Sequence, residues 1–149
     1  MAGPIFDSHA HYLSRQFDGD RQALLACLPA AGVAGVVECA TDLATSKAAL
    51  ALAAAWPFMW AAAGIHPESL IEADASTNAE FSGDWKAELA AIAPLLEAEK
   101  VVAVGEIGLD YWRIRTTSSS WWCTAWRRPT MEISTSSTRN ICVTPFPLA

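Results

Sequence analysis

Residues 33–65, VAGVVECATDLATSKAALALAAAWPFMWAAAGI, decide the fold because two apolar runs flank a helical stretch. The run 33–39 is short, apolar and rich in β-branched residues, which predicts a buried strand. Thr41 or Asp42 is placed to cap the helix that follows, and Pro57 ends that helix because proline cannot continue it. The apolar run after Pro57 predicts a second buried strand, so the whole stretch forms a β-α-β unit.

The same alternation continues on both sides of this unit. A strand at 5–8 and a helix at 21–31 precede it. A helix at 84–99, which Pro94 must bend or split, and a strand at 101–104 follow it. The order β-α-β-α-β-α-β implies parallel strands joined by right-handed crossovers. Four such strands form either half of a barrel or a small doubly wound sheet, and the hydrophobic pattern alone does not choose between them.

Length and composition limit the classes of protein that fit. The chain has 149 residues, enough for one domain, whereas a complete (β/α)₈ barrel needs about 250. Apolar residues make up 52% and charged residues 17%, which excludes an intrinsically disordered chain. A net charge of −6 argues against holding nucleic acid with a basic surface. It does not argue against a nuclease whose bound cations face the phosphate.

Two further patterns bear on the cellular compartment. The four cysteines form no C-x-x-C pair, and residues 1–7 have neither the basic nor the apolar region of a signal peptide, so we expect free thiols and a cytoplasmic protein. Residues 48–65 carry no charge, but they are rich in alanine and are interrupted by Pro57. We therefore expect no membrane segment. No protein partner can be inferred.

The composition changes near residue 113. Residues 1–113 contain six Lys/Arg and 15 Asp/Glu, a net charge of −9, whereas 114–149 contain four and one, a net charge of +3. This tail holds a Ser/Thr run at 116–120 and neighbouring Trp and Arg pairs. Three interpretations stay open: a shifted reading frame without evolved structure, a disordered or linker-like tail, and a basic aromatic strip that stacks on single-stranded nucleic acid.

The first group of residues with chemical character is Asp7-Ser8-His9-Ala10-His11, after the first strand. Residues two apart in an extended chain point the same way, so His9 and His11 are expected to project together, with Asp7 on the same side. Two imidazoles on one side make half of a metal site. The alternative is a pair of surface histidines beside a helix cap.

The second group is Gly64-Ile65-His66-Pro67, at the end of the third strand. Gly64 permits a close approach of another backbone. His66 is expected at the same end of the sheet as the first two histidines, because parallel strands end on the same side. It would contact the substrate or transfer a proton. The alternative is a histidine that bonds to the backbone.

The third group, Gly105 to Tyr111, follows the fourth strand and reads GEIGLDY. Glu106 is placed to ligate or bridge metal ions. Asp110 could orient another ligand, and the planar guanidinium of Arg113 could pair with a phosphate. The alternative for Glu106 is a carboxylate that caps a helix.

All three groups fall at the C-terminal ends of strands, where the active sites of parallel α/β folds lie. At these positions the chain resembles the TatD family of metal-dependent deoxyribonucleases, over residues 5 to about 113. The residues that carry the resemblance are Asp7-Ser8-His9-Ala10-His11, Gly64-Ile65-His66-Pro67 and Gly105-Glu106-Ile107-Gly108-Leu109-Asp110-Tyr111.

The resemblance implies that residues 1–113 are the first four βα units of a (β/α)₈ TIM-type barrel, the N-terminal half of a metal-dependent hydrolase. It implies cleavage of phosphodiester bonds in DNA by a metal-activated water, with two divalent ions (Mg, Mn or Zn) in the complete site. The metal ligands would be His9, His11 and Glu106. His66 would lie in the substrate site. With Asp110 and Arg113, whose roles are inferred above from their side chains, it makes up the candidate catalytic residues.

The chain departs from the family pattern in its later part. The family's later strands supply two more histidines and an aspartate to the metal site. Here all three histidines occur by residue 66, and no Asp follows Arg113. We therefore expect weak or absent activity. The alternatives are a non-catalytic fragment of a truncated gene and a small metal-binding α/β module.

Overall fold

The computed structural model describes residues 3–108, together with the backbone of 125–126. Four strands lie parallel and in sequence order across one sheet, and a fifth short strand pairs antiparallel with the fourth. They are β1 (Ile5–Ala10), β2 (Val33–Cys39), β3 (Met59–Ala63), β4 (Val101–Val104) and β5 (Ala125–Trp126).

The strand order answers the question that the hydrophobic pattern left open. A doubly wound sheet reverses direction after its first strands, as in the order 3-2-1-4. The order β1-β2-β3-β4 instead keeps one direction, as the consecutive units of a barrel do. The predicted fold class, α/β with the first four strands of a TIM-type barrel, is confirmed.

The helices connect these strands and pack against them. They are α1 (Arg21–Cys27), α2 (Leu43–Ala55), α3 (Ser76–Ala79) and α4 (Trp85–Ile92). Short 3₁₀ helices lie at Arg15–Phe17, Pro67–Leu70 and Ala93–Glu97. The segment between β3 and α4 therefore contains a 3₁₀ helix and a single α-helical turn.

Two prolines set helix ends. The helix predicted over 21–31 was too long, since α1 stops at Cys27. Pro29 explains the difference, because it has no N–H to donate to the carbonyl four residues earlier and its ring crowds that carbonyl. Pro94 splits the predicted helix 84–99, as expected: α4 ends at Ile92 and a 3₁₀ helix continues to Glu97.

The core lies between the sheet and α2. Four of its side chains are fully buried: Val36 of β2, Met59 of β3, Leu25 of α1 and Ile92 of α4. Alanines fill much of the remaining space, and those at 49, 53, 61 and 63 have no exposed surface. Because alanine side chains are short, α2 can lie close to β3.

The uncharged stretch 48–65 is accounted for by two elements of this core. It comprises the end of α2, the break at Pro57 and all of β3, as the sequence predicted. Within residues 3–108 and 125–126, no helix has the length and apolar character that crossing a membrane requires. Cys27 and Cys39 are free thiols.

A buried polar network fixes the start of α2. One oxygen of the Asp42 carboxylate accepts the Thr45 N–H at 2.7 Å, and the other accepts the Ser76 N–H at 2.8 Å. Glu88 of α4 accepts the Leu43 N–H at 2.8 Å and the Ser76 hydroxyl at 2.5 Å. The network therefore joins the first turn of α2 to α3 and α4.

Asp42 should make the stability of the fold depend on pH. Burial favours a higher pKa for its carboxyl group, but the hydrogen bonds from Thr45 and Ser76 outweigh it and lower that pKa. The stabilisation is therefore present above the unfolded pKa, about 3.9, and is lost as the pH falls through the lower folded pKa. We expect Asp42→Asn, which keeps one of the two acceptors, to cost about 1–2 kcal/mol at pH 7. Urea unfolding at pH 7 and pH 3 measures this difference.

Asp20→Asn is the matched control, because Asp20 begins α1 without a side-chain capping bond. It should change the free energy of unfolding little at either pH. A gap between wild type and Asp42→Asn that is the same at pH 7 and pH 3 would contradict the assignment.

Candidate metal centre

Two histidine rings meet at the C-terminal end of β1. The Nε2 atoms of His9 and His11 are 3.1 Å apart, and both side chains are about half exposed. The predicted pair of imidazoles on one side is therefore present.

Asp7 was expected on the same side and does not join the pair. Its carboxylate accepts the backbone N–H of His9 at 3.2 Å. The cause lies in the strand register: Asp7 pairs with Val36 and Ala10 pairs with Glu38, so β1 has one extra residue there. Such a bulge breaks the two-residue alternation and re-aims the side chains beyond it.

Glu106 reaches the same place from the end of β4. Its carboxylate is buried, at 5% exposure, and its Oε1 lies 2.5 Å from Nε2 of His9 and 3.4 Å from Nε2 of His11. Backbone bonds hold it there, since the Gly105 N–H donates to the Ala63 carbonyl at 3.0 Å and the Glu106 N–H donates to the Ala40 carbonyl at 2.8 Å.

Gly64 makes room for this turn of the chain. A Cβ atom at Gly64 would lie 2.6 Å from the Glu106 carbonyl oxygen and 2.8 Å from the Gly105 carbonyl carbon. Both contacts would be shorter than van der Waals distance, and these backbone atoms cannot move aside as a flexible side chain could. The close approach predicted for Gly64 is thus confirmed, and any larger residue there would displace the Glu106 backbone.

Two of the three distances between the ligand atoms are those that a shared divalent cation requires. Two nitrogen or oxygen ligands about 2.1 Å from a shared cation lie about 3.0–3.4 Å apart for octahedral or tetrahedral angles. The Nε2–Nε2 distance of 3.1 Å and the longer Nε2–Oε1 distance of 3.4 Å fall in that range. The 2.5 Å contact of His9 with Glu106 is shorter and has the length of a direct hydrogen bond. These side chains fit a cation with little rearrangement.

The backbone of β2 fixes the orientation of the His11 ring. Its Nδ1 lies 3.1 Å from the Cys39 carbonyl oxygen, which can only accept, so Nδ1 carries a proton and donates it. Nε2 is then the ligand atom, an arrangement that metal-binding histidines commonly have. Burial raises the pKa of the neighbouring Cys39 thiol to about 12. Among residues 3–108, the ligand atoms close enough to share an ion are those of His9, His11 and Glu106.

His11 and Glu106 form a charge pair. The hydrogen bond to Glu106 raises the pKa of His11, with burial acting in the opposite direction. Burial favours a higher pKa for Glu106, but the hydrogen bond from His11 and the charges of the histidines outweigh it, so this pKa is lowered. The two shifts have one cause, since a protonated His11 and an ionised Glu106 would stabilise each other.

His66 lies on the other side of Glu106 and has the opposite tautomer. Its Nδ1 accepts the Glu68 N–H at 3.0 Å, so in the neutral ring the proton is on Nε2. That nitrogen is 3.5 Å from Oε2 of Glu106. His66 is therefore a hydrogen-bond donor towards the centre, whereas His11 offers a lone pair. Both rings line a pocket of about 290 Å³, together with Thr41, Glu68, Ser69, Glu72 and Glu106.

The structure thus brings together four of the six predicted site residues: His9, His11, His66 and Glu106. The other two, Asp110 and Arg113, lie outside the described residues.

Two residues that sequence reasoning missed hold the loop after the histidines. The carboxylate of Glu38 accepts the N–H groups of Tyr12 and Leu13, each at 2.8 Å, and is fully buried. Arg21 donates from the other side to the carbonyls of Tyr12, Leu13 and Ser14, at 2.6–3.2 Å. A sequence signal did exist for Glu38: it is a lone charge in a strand that is otherwise apolar, next to the strand's C-terminal end.

A barrel-type sheet with an H-x-H pair after the first strand and a carboxylate after the fourth has the features of the metal-dependent hydrolases as a class. The model of one family, TatD related DNase, matches residues 6–126. The chain belongs to this family, and the resemblance stated from the sequence is confirmed. The match extends beyond residue 113 and includes the residues of β5.

Three relatives show the level of similarity. The chain is 39% identical over 108 residues to the 3'-5' ssDNA/RNA exonuclease TatD of Cronobacter sakazakii, covering 72% of this chain and 36% of that protein. It is 35% identical over 108 residues to the protein of the same name in Escherichia coli, covering 72% and 37%. It is 36% identical over 107 residues to the uncharacterized metal-dependent hydrolase YabD of Bacillus subtilis, covering 72% and 38%. The chain thus spans somewhat more than a third of the length of these relatives.

Glu38 should hold the two amides beside His11 in place. Glu38→Gln keeps only one acceptor oxygen and turns an N–H₂ group towards the other amide, so we expect a loss of about 1–3 kcal/mol. Amide hydrogen exchange should accelerate locally at Tyr12 and Leu13, beyond the acceleration that reduced global stability gives to every amide. The matched control, Glu99→Gln, alters an exposed carboxylate. Uniform acceleration across the sheet would show that Glu38 stabilises the fold without positioning this loop.

Proposed function

We propose that this chain is a divalent-metal-dependent hydrolase of phosphodiester bonds in nucleic acid. The observation that carries the proposal is the convergence of His9, His11 and Glu106, whose ligand atoms lie within 3.4 Å of one another. Membership of a DNase family and the exonuclease names of two relatives support the choice of a nucleic-acid substrate.

The ligand types indicate which ions fit best. Two imidazoles and one carboxylate favour Mn²⁺ or Zn²⁺ over Mg²⁺, which prefers oxygen ligands. When bound, such a cation lowers the pKa of a water and polarises a phosphoryl oxygen.

The protein's own side chains act around that cation. Glu106 supplies negative charge from a buried position, and the Cys39 carbonyl keeps the ring of His11 turned towards the centre. His66 would donate its Nε2–H to an oxygen of the phosphate. Arg113 would pair with the phosphate through its guanidinium, and Asp110 would orient a neighbouring ligand.

We further propose that the chain binds one cation and hydrolyses its substrate slowly. Centres with two ions need a shared carboxylate and additional ligands for the second ion. Among residues 3–108, one group of three ligand atoms is close enough to hold an ion. The sequence has no histidine beyond His66 and no aspartate beyond Asp110. A single ion leaves the departing oxygen without a cation of its own.

Titration calorimetry with Mn²⁺ tests the site. We expect one ion per chain, and an affinity weakened by at least about 10- to 100-fold in Glu106→Gln and in His11→Ala, because even the loss of a partner that only orients a metal ligand has that size. Glu99→Gln, which changes an exposed carboxylate, should bind as the wild type does. Equal affinity in wild type and His11→Ala would remove the proposed site, and two ions per chain would contradict the single-ion proposal.

The second test is hydrolysis of a labelled single-stranded oligodeoxynucleotide in Mn²⁺. We expect slow release of nucleotides that EDTA abolishes. His66→Ala should lower kcat about 100-fold, the effect of losing one hydrogen-bond donor to developing charge, while the Mn²⁺ affinity changes less than about threefold. Binding of Mn²⁺ without EDTA-sensitive hydrolysis would instead support the metal-binding module. Unchanged kcat in His66→Ala would remove His66 from the mechanism.

A further inference from the structure

An apolar groove lies directly beside the metal centre. It has a volume of about 400 Å³ and a lining that is mostly aliphatic and aromatic. Its apolar lining includes the side chains of Ile65, Leu70, Trp85, Leu89 and Ile107. None of these residues has a part in binding the cation.

Three of these side chains are unusually exposed for their type. Trp85 is 46% exposed, Leu70 41% and Leu89 40%. Trp85 and Leu89 are four residues apart in α4, so they occupy one face of that helix. Ile92, three residues after Leu89 on the same face, is fully buried, so this apolar stripe is covered at its C-terminal end and open at Trp85 and Leu89. A concave group of exposed apolar side chains marks a binding site more often than a stretch of plain surface.

The groove is continuous with the centre. His66 lines both the pocket that contains Glu106 and the groove. Ile107 and Gly108 follow Glu106 directly in the chain and form the adjoining wall. A ligand held at the centre by its phosphate would therefore place the group next to that phosphate in or beside the groove.

We propose that this groove is a nucleobase site, which takes the unpaired base next to the phosphate at the centre. The inference rests on the proposed function. Planar bases stack on aromatic side chains without regard to sequence, and Trp85 offers such a surface. The ammonium group of Lys86 lies over the Trp85 ring, 5.5 Å from its centroid, so a positive charge that suits a phosphodiester backbone lies against one face of the indole. The volume fits a nucleoside and is too small for a peptide helix.

Binding of labelled oligothymidylate, compared with an abasic strand of the same length, tests the proposal. Fluorescence anisotropy in EDTA, and again in Mn²⁺ at low temperature, gives both affinities. We expect the abasic strand to bind more weakly than oligothymidylate. Trp85→Ala should weaken the binding of oligothymidylate about 5- to 100-fold and leave the abasic strand unchanged, whereas Trp85→Phe should retain most of the affinity.

Leu89→Ala provides a second groove variant, and Ile71→Ala is its matched control. Ile71 is 64% exposed and is not among the residues that line the groove. We expect Leu89→Ala to weaken the binding of oligothymidylate, and Ile71→Ala to leave it unchanged. If Trp85→Ala fails to unfold cooperatively, Trp85→Phe and Leu89→Ala still decide the question.

Three results would overturn the proposal. The first is equal affinity of the wild type for oligothymidylate and the abasic strand. The second is unchanged affinity for oligothymidylate in both Trp85→Ala and Leu89→Ala. The third is a dimer in sedimentation that Trp85→Ala dissociates. The last would show a second copy of the chain in the groove. Loss of the proposed function is seen separately, as absent Mn²⁺ binding and absent EDTA-sensitive hydrolysis, while the comparison of strands in EDTA remains informative.

Discussion

The hydrogen bond from the Glu106 N–H to the Ala40 carbonyl, 2.8 Å long, determines whether the site exists. It turns the chain after β4 back across β3 to the end of β2. Only from there can the Glu106 carboxylate reach the histidines of β1. A parallel sheet brings all strand ends to one edge, but ligands from its first and fourth strands still start several strand spacings apart. This backbone bond, and the absence of a side chain at Gly64, close that distance.

Hydrogen bonds to the rings divide the histidines by role. A carbonyl beside Nδ1 of His11 leaves Nε2 as a ligand atom, whereas an N–H beside Nδ1 of His66 leaves Nε2 as a donor. Both partners belong to the backbone, so the division is built into the fold. The loop that follows the first pair is held by the Glu38 carboxylate and the Arg21 guanidinium. The centre is therefore organised by groups that never touch the cation.

The sequence predicted most of this arrangement, and the exceptions have physical causes. The apolar pattern predicts the four parallel strands, and Pro94 predicts the split of the last helix. The common edge of parallel strands predicts that the three histidines meet Glu106. The helix α1 is shorter than predicted because Pro29 ends it. Asp7 was expected at the centre, but alternation cannot reveal a bulge, which arises from pairing with β2. The tautomers and the partners of Glu38 depend on contacts between residues far apart in the chain, which no local pattern encodes.

The charge of the chain explains how such a site would meet a polyanion. Residues 1–113 carry a net charge of −9, and the pocket itself contains Glu68, Glu72 and Glu106. A cation among the carboxylates would reduce the repulsion between this surface and phosphates. The apolar groove adds contacts that do not depend on charge, since stacking on Trp85 needs only a flat, unpaired base. An acidic protein of this kind would therefore recognise nucleic acid through one ion and one aromatic surface, with a weaker dependence on salt than binding through a lysine-rich face, where counterion release supplies the affinity.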